Sequence, residues 1–338
     1  KRACTTRLAR GNRMQLDDAL IAITGGARGL GLAMAHHLGS RGARIALIDT
    51  DNDQLDQAVN GLFDAGITLF DTAESYGGGK SEVYLGKALG LRRADVVIAT
   101  KFGWGGRHNR ATVENAIDAS LRRLGTDYVD LYQIHKPDTS TPISETLEAL
   151  DGLVCAGKIR AIGCSNFSSA QLSEAMEVSR ACSITAFLTA QNEYSLLRRD
   201  IEADLVPVCL ENSVGILPYY PLCGGLLTGK YRRGVRPGKG TRLGDGGIGA
   251  GGWLTDANFE MVERLQAFTG AHGHELIDLA ISWLAMKPEI SSVIAGARRL
   301  GQASANVRAG QWALSATELE ELERLFLDAR FSLDIMLK

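Results

Sequence analysis

Apolar residues in this chain gather in short runs, separated by longer stretches where they recur at helical spacing. The runs at 20–24, 44–48, 67–70, 96–100, 128–134, 159–163, 186–191, 214–218 and 292–295 read as strands. Between them, segments such as 113–124, 143–156, 170–178 and 201–210 carry the pattern of amphipathic helices. Such alternation predicts an α/β fold built on a parallel sheet with right-handed crossovers. From 44 to the last run the strands number eight, over roughly the 250 residues that a (β/α)8 TIM barrel takes. The run at 20–24 and the helix after it are surplus. They form an extra N-terminal Rossmann-like β-α element that either packs outside the barrel or displaces another strand.

The expected divisions are a disordered basic arm at 1–13, the β-α element at 14–43, the barrel at 44–328 and a tail at 329–338. The arm holds Lys1, Arg2, Arg7, Arg10 and Arg13 with no acidic residue. It reads either as an unfolded overhang ahead of Met14 or as an organelle-targeting arm, and it lacks the apolar stretch of a secretory signal. Near the other end, 316–327 reads as a helix capped by Ser315 with Glu318 three residues on.

Composition narrows the class. The 338 residues are 45% hydrophobic and 22% charged, which fits an ordinary globular protein. A formal charge of −2 gives no field favouring nucleic acid or an anionic membrane. No apolar run approaches the roughly 18 residues of a membrane helix. The six cysteines contain no C-x-x-C pair, so reduced thiols in a cytoplasmic protein are expected, with neither a disulfide frame nor a metal site. The stretch 232–252 is rich in glycine and basic residues, and reads equally as a mobile surface loop or as a lid whose cations meet phosphate.

The candidate chemistry follows from where polar residues end the apolar runs. Asp71 follows 67–70, with Tyr76 in the next loop; Lys101 follows 96–100; His135 follows 128–134. In an alternating β/α chain all four lie at the carboxyl ends of parallel strands, the face that carries chemistry. A free tyrosine has a pKa of about 10, and a nearby ammonium lowers it. Lys101 is expected to act so on Tyr76, Asp71 to hold Lys101, and His135 to orient and polarise a carbonyl.

These residues stand in motifs that resemble the aldo-keto reductase superfamily. Gly66-Ile67-Thr68-Leu69-Phe70-Asp71-Thr72-Ala73-Glu74-Ser75-Tyr76-Gly77 is similar to that family's catalytic strand and loop. Ala99-Thr100-Lys101 resembles its lysine strand, and Asp130-Leu131-Tyr132-Gln133-Ile134-His135 its histidine strand. Further matching stretches are Ile162-Gly163-Cys164-Ser165-Asn166-Phe167, Gln191-Asn192-Glu193-Tyr194-Ser195, Pro221-Leu222, Gly225 to Tyr231, and Val293-Ile294-Ala295-Gly296. The resemblance covers roughly residues 55–328 and is similar to bacterial reductases of the branch that includes potassium-channel β-subunits.

The resemblance implies NADPH-dependent reduction of a small carbonyl substrate, with Tyr76, Asp71, Lys101 and His135 catalytic. It further implies that Ser165, Asn166 and Gln191 hold the nicotinamide carboxamide and that Tyr219 stacks on the ring. Leu222, Gly224, Leu226 and Lys230 would run beside the pyrophosphate, and Gly296, Arg298, Gln302 and Asn306 would hold the adenosine end. Arg298 or Arg299 suits a 2′-phosphate through a two-bond fork. The residues Arg298 to Gln302 depart from the Pro-Glu-Gln that relatives often carry there. Ser165 and Asn166 also read as a helix N-cap. A homo-oligomer is compatible with this reading; nucleic-acid and membrane partners are not expected.

Residues 20–49 resemble a different family. Thr24-Gly25-Gly26-Ala27-Arg28-Gly29-Leu30-Gly31 is similar to the start of short-chain dehydrogenases, with Asp49 closing the next strand. Only one β-α-β unit is present, where a dinucleotide domain needs two halves. Tyr76 and Lys80 match that family's Tyr-x-x-x-Lys in letters, but the three glycines between them are unlike a helix. The chain therefore looks like a fusion, in which 44–48 takes the first barrel position. Three alternatives stay open: a regulatory, channel-β-like subunit, a fusion with a disrupted site, and dinucleotide binding at the front glycine loop.

Overall fold

The computed structural model describes residues 20–24, 44–48, 69–244, 250–295 and 309–336. Eight strands form one sheet in chain order: β1 (Leu20–Thr24), β2 (Arg44–Ile48), β3 (Leu69–Asp71), β4 (Val97–Phe102), β5 (Val129–Ile134), β6 (Ile159–Ser165), β7 (Phe187–Gln191) and β8 (Gly215–Ile216). Every neighbouring pair is parallel, which requires a crossover between each two strands. This is the expected α/β fold, with a curled parallel sheet consistent with a (β/α)8 barrel.

The sequence-based strands lie where the pattern put them, with ends that shift by one or two residues: β4 runs on to Phe102 and β6 to Ser165. The run at 67–70 pairs over Leu69–Asp71. The runs at 214–218 and 292–295 are reduced to a two-residue strand and to single parallel bridges, Ile216 to Ile290 and Tyr219 to Ile294. β2 meets β3 at Ile45 and Leu69, so it holds the place before β3 that the strand count gave it. β1 lies beside β2 at the edge of this order. The basic arm, the glycine loop at 25–31 and Asp49 lie outside the described residues.

Four helices whose packing positions the site follow β3 to β6. They are α1 (Lys80–Leu89), α2 (Arg110–Leu124), α3 (Ile143–Cys155) and α4 (Ser169–Cys182). Asn109 caps α2 by accepting from the Thr112 amide, and Gly125, at φ 65°, ends it. α1 and the end of α2 touch backbone to backbone: a Cβ at Gly86 would sit 2.0 Å from the Leu124 carbonyl oxygen, so only glycine allows that approach. Later come α5 (Leu205–Glu211), α6 (Asp256–Ala271), α7 (Leu276–Ala285) and α8 (Ala316–Met336). The expected Ser315–Glu318 box is present, each amide bonded to the other's side chain, and the helix expected over 316–327 runs on to Met336. β4 and β5 are buried on both faces, which is why they read as unbroken apolar runs instead of alternating ones.

The opposite, amino end of the sheet carries a clamp. Asp130 on β5 accepts from Arg93 Nη2 at 2.8 Å, Arg160 Nη1 at 2.7 Å and the Ile98 amide at 2.9 Å. The two guanidinium groups flank the Tyr128 ring, each 4.0 Å from its centroid. Asp130 is 7% exposed and Arg93 14%, whereas Arg160 is 60% exposed, so the Arg93 pair dominates energetically. Asp130→Ala is expected to destabilise the fold by about 2–4 kcal/mol, because it strands a mostly buried guanidinium and an amide. Urea denaturation reads this; a change under about 0.5 kcal/mol would show that the clamp is ornamental.

Candidate active site

The sheet register brings the chemistry-bearing residues together. Asp71 is opposite Ala99, and Lys101 lies two residues on, on the same face of β4. Lys101 is in turn opposite Gln133 of β5, and Ser165 is opposite Gln191 at the ends of β6 and β7. Beyond β3 the chain turns through Gly77, Gly78 and Gly79, all at positive φ, and α1 starts only at Lys80. Tyr76 and Lys80 therefore share no helix, as the three glycines implied.

Lys101 is fully buried. Its ammonium forms a short ion pair with Asp71 Oδ2, donates to the Thr72 carbonyl at 3.0 Å and reaches the Tyr76 hydroxyl at 3.5 Å. The second oxygen of Asp71 accepts from Gln133 Nε2 at 3.2 Å and from Gln191 Nε2 at 3.1 Å. The His135 ring meets Tyr76 edge to face at 5.6 Å, and its Nδ1 lies 3.5 Å from Ser75 Oγ. The four residues expected to act together are thus one cluster.

The electrostatics correct one expectation. Burial works against the Lys101 ammonium, but the charges of Asp71 and Tyr76 and hydrogen bonds to both outweigh it and raise its pKa. For Tyr76, burial raises the pKa and Lys101 pulls it down, with Asp71 raising it again; burial prevails. The phenol is therefore less acidic than in water, contrary to the lowering expected from its lysine neighbour. The reason is that Asp71 neutralises Lys101, so little net positive charge is left to counter desolvation. Burial, then repulsion from Lys101, lowers His135 to about 3, so its ring is neutral at pH 7.

The His135 shift makes stability depend on pH. In the unfolded chain this ring gains a proton as pH falls through 6.5; in the folded protein it resists until about 3. The unfolded state then binds more protons between these values, so stability is complete above 6.5 and is lost as pH falls, by up to about 1.4 kcal/mol per pH unit. His108 is lowered as well, mainly by burial. Comparing wild type with His135→Asn in urea at several pH values isolates the one ring: the variant should lose stability less steeply between about pH 6 and pH 4. Parallel curves would place His135 in contact with water.

The residues expected around a nicotinamide also converge. Ser165 Oγ donates to the Gln191 carbonyl at 2.8 Å. Asn166, at φ 62°, donates from Nδ2 to the His135 carbonyl at 2.8 Å and accepts from the Tyr219 hydroxyl at 2.7 Å. Neither Ser165 nor Asn166 caps a helix: the cap of α4 is Ser168, in a box with Gln171, so the N-cap reading is wrong by two residues or more. Beyond Tyr219, the turn at 222–229 contains Gly224 and Gly225 at positive φ. A Cβ at Gly224 would strike Leu243 and Trp253 at 2.7 Å, and one at Gly225 would strike Lys230 Nζ at 2.3 Å. Leu222 and Leu226 are buried, so they can face a ligand only through their backbone. Gly296, Arg298, Gln302 and Asn306 lie outside the described residues. So do 245–249 of the glycine-rich stretch; its exposed part, 232–240, is followed by Leu243 and Trp253, which are buried against the 222–229 turn.

Several site residues escaped the reading of the sequence. Gln133 lies two positions before His135, hence on the same face of β5, and strand alternation would have found it. Trp104 was not singled out; it is 53% exposed, and its ring lies 4.5 Å from that of His135. Tyr220 gave no local signal, and Arg242 was noted only as one of the basic residues of the 232–252 stretch. Among the described residues no cluster of histidine, cysteine and carboxylate could hold a metal ion, and no helix is long and apolar enough to cross a membrane.

The same cluster of residues lies within a stretch similar to known proteins. The family model described as "Aldo/keto reductase family" matches residues 38–326. The chain is 36% identical over 290 residues to "Aldo-keto reductase YhdN" of Bacillus subtilis (strain 168), covering 82% of this chain and 84% of that protein. It is 33% identical over 294 residues to "Probable voltage-gated potassium channel subunit beta" of Oryza sativa subsp. japonica, covering 81% and 90%. To "L-glyceraldehyde 3-phosphate reductase" of Escherichia coli (strain K12) it is 32% identical over 290 residues, covering 80% and 83%. With β2 to β8, the buried lysine and most of its length inside that match, the chain belongs to the aldo/keto reductase family.

Proposed function

We propose that this protein reduces an aldehyde or ketone to the alcohol, reversibly, with NADPH as partner. The observation that carries the reading is the buried Lys101 ammonium, held between Asp71 and Tyr76 beside the His135 ring. When bound, the nicotinamide supplies the hydride. Tyr76 supplies the proton: its raised pKa keeps the hydroxyl protonated, and Lys101 stabilises the phenolate left behind. Asp71 fixes Lys101 in place. His135, neutral at pH 7, donates an N–H bond to the carbonyl oxygen and orients it without adding charge.

The residues present fit the cofactor. Ser165, Asn166 and Gln191 offer a hydroxyl and two amides at adjoining strand ends, with the Tyr219 ring tied to Asn166. Asn192 Oδ1, next to Gln191, is buried with no partner, as expected beside a polar ligand. We assign the pyrophosphate to the backbone of Leu222, Gly224 and Leu226 with Lys230, and the adenosine end to Gly296, Arg298, Gln302 and Asn306. The names of the Bacillus and Escherichia relatives support carbonyl reduction. The rice relative's name supports a second reading, in which the barrel binds NADPH and acts as a regulatory subunit. NADPH oxidation with a panel of small aldehydes separates the two: the first reading expects turnover, and tight NADPH binding with no turnover would favour the second.

We take 44–328 as the barrel and 14–43 as a short-chain-dehydrogenase-like element fused ahead of it, not as the dinucleotide site. On that reading Gly29→Asp leaves NADPH affinity within about twofold, while Arg298→Ala weakens it about tenfold. Fluorescence titration giving the opposite ranking would move the cofactor to the front loop.

A further inference from the structure

A second ion pair lies behind the strand wall, on the side turned away from the catalytic cluster. Glu82, in the first turn of α1, is fully buried. One of its oxygens accepts from the Thr100 hydroxyl at 2.6 Å and the other from Arg123 Nε at 2.6 Å. Beside it, Ser81 Oγ accepts from the Thr72 hydroxyl at 2.9 Å. A buried carboxylate is costly to desolvate even when paired, and a well-packed apolar side chain in its place is often as stable. Stability alone therefore does not account for Glu82.

The groups that Glu82 and Ser81 hold adjoin the reacting ones. Thr72 follows Asp71, and its carbonyl takes the Lys101 ammonium at 3.0 Å. Thr100 precedes Lys101, and strand alternation sends the two side chains to opposite faces of β4. A shift of Thr100 therefore carries Lys101 with it. Arg123 packs against Gly79, where a Cβ would sit 2.8 Å from its Cδ. Gly79, at φ 87°, closes the turn that presents Tyr76. Glu82 is thus bonded through one oxygen to the lysine strand and through the other to the arginine that backs the tyrosine turn. Between those two supports lies the 3.5 Å contact of Lys101 Nζ with the Tyr76 hydroxyl.

We propose that Glu82 is a positioning residue that sets the separation of Lys101 and Tyr76 through Thr100 and Arg123. This rests on the carbonyl-reductase reading above. Glu82 acts on the proton donor only through these two neighbours, from the far side of the wall.

The test uses Thr100→Val, which keeps the shape of the side chain and removes its hydroxyl, beside Thr100→Ser, which keeps the hydroxyl. Rates are taken with NADPH and aldehyde saturating and scaled to the folded fraction from urea unfolding. Thr100→Val should lower kcat about tenfold, with KM and NADPH affinity within about twofold of wild type. Thr100→Ser should recover most of the rate. Glu82→Gln, which leaves Arg123 without a counter-charge, should lower kcat by about threefold or more. In alcohol oxidation with NADP+, the limb that rises as Tyr76 loses its proton should move to higher pH in Thr100→Val and Glu82→Gln. A more distant ammonium stabilises the phenolate less. Wild-type kcat and an unmoved limb in either variant would make the network a brace of the fold alone and overturn the proposal.

The Cζ resonance of Tyr76 in tyrosine-labelled protein, assigned by its loss in Tyr76→Phe, reads the same contact without turnover. It should move in Thr100→Val and return in Thr100→Ser; an unmoved resonance overturns the positioning role. A resonance that moves in a protein reducing no aldehyde upholds the positioning and strikes only the carbonyl-reductase reading.

Discussion

Tyr76→Phe is expected to lower kcat by about 100- to 10,000-fold, the span for losing a positioned general acid. NADPH affinity should change little, because the lost hydroxyl contacts Lys101 and the carbonyl site. The fold should also stand: the ring still meets His135 edge-on, and the hydroxyl gives up only a long contact of 3.5 Å. Single-turnover kinetics with a bound-cofactor titration check both halves. Turnover within about threefold of wild type would remove Tyr76 from the chemistry. A variant that loses NADPH as well would mean that the phenol helps to shape the cofactor site.

The second large effect concerns the ion pair beneath that tyrosine. Asp71→Ala leaves a fully buried ammonium without its counter-charge and takes the acceptor from both Gln133 and Gln191. Breaking one partner of a buried pair typically costs about 3–5 kcal/mol. Lys101→Met should cost a similar amount, because it strands the carboxylate. The double variant should regain a good part of the stability, since neither charge is then unpaired, and should stay inactive. Urea unfolding of the two single variants and the double one forms the cycle. Additive losses would show that the two groups do not depend on each other.

Much of this arrangement was legible in the chain. Asp71, Lys101 and His135 each end an apolar run, and parallel order fixes which end of the sheet they share. That is why Asp71, Lys101 and His135 could be grouped without coordinates. Tyr76 was legible because Gly77 to Gly79 exclude a helix there. What the pattern does not encode is net electrostatics. Lys101 next to Tyr76 suggested a more acidic phenol, but the outcome depends on how completely the site is buried and on Asp71 cancelling the lysine. The Ser165–Asn166 cap was misplaced because Ser168 offers the same chemistry further on, and only Gln171 at the third helical position distinguishes it. The meeting of Tyr220 with Arg242 could not be foreseen, since it depends on the path of a glycine-rich loop across 21 intervening positions.

Trp104 gives the protein a built-in optical reporter. Three of its four tryptophans, Trp253, Trp283 and Trp312, are 2–5% exposed and contribute a steady, shielded emission. Trp104 alone stands half in solvent with its ring on His135. Any molecule that settles over that imidazole must displace water from the indole, so occupancy of the site is readable from its emission colour without a label.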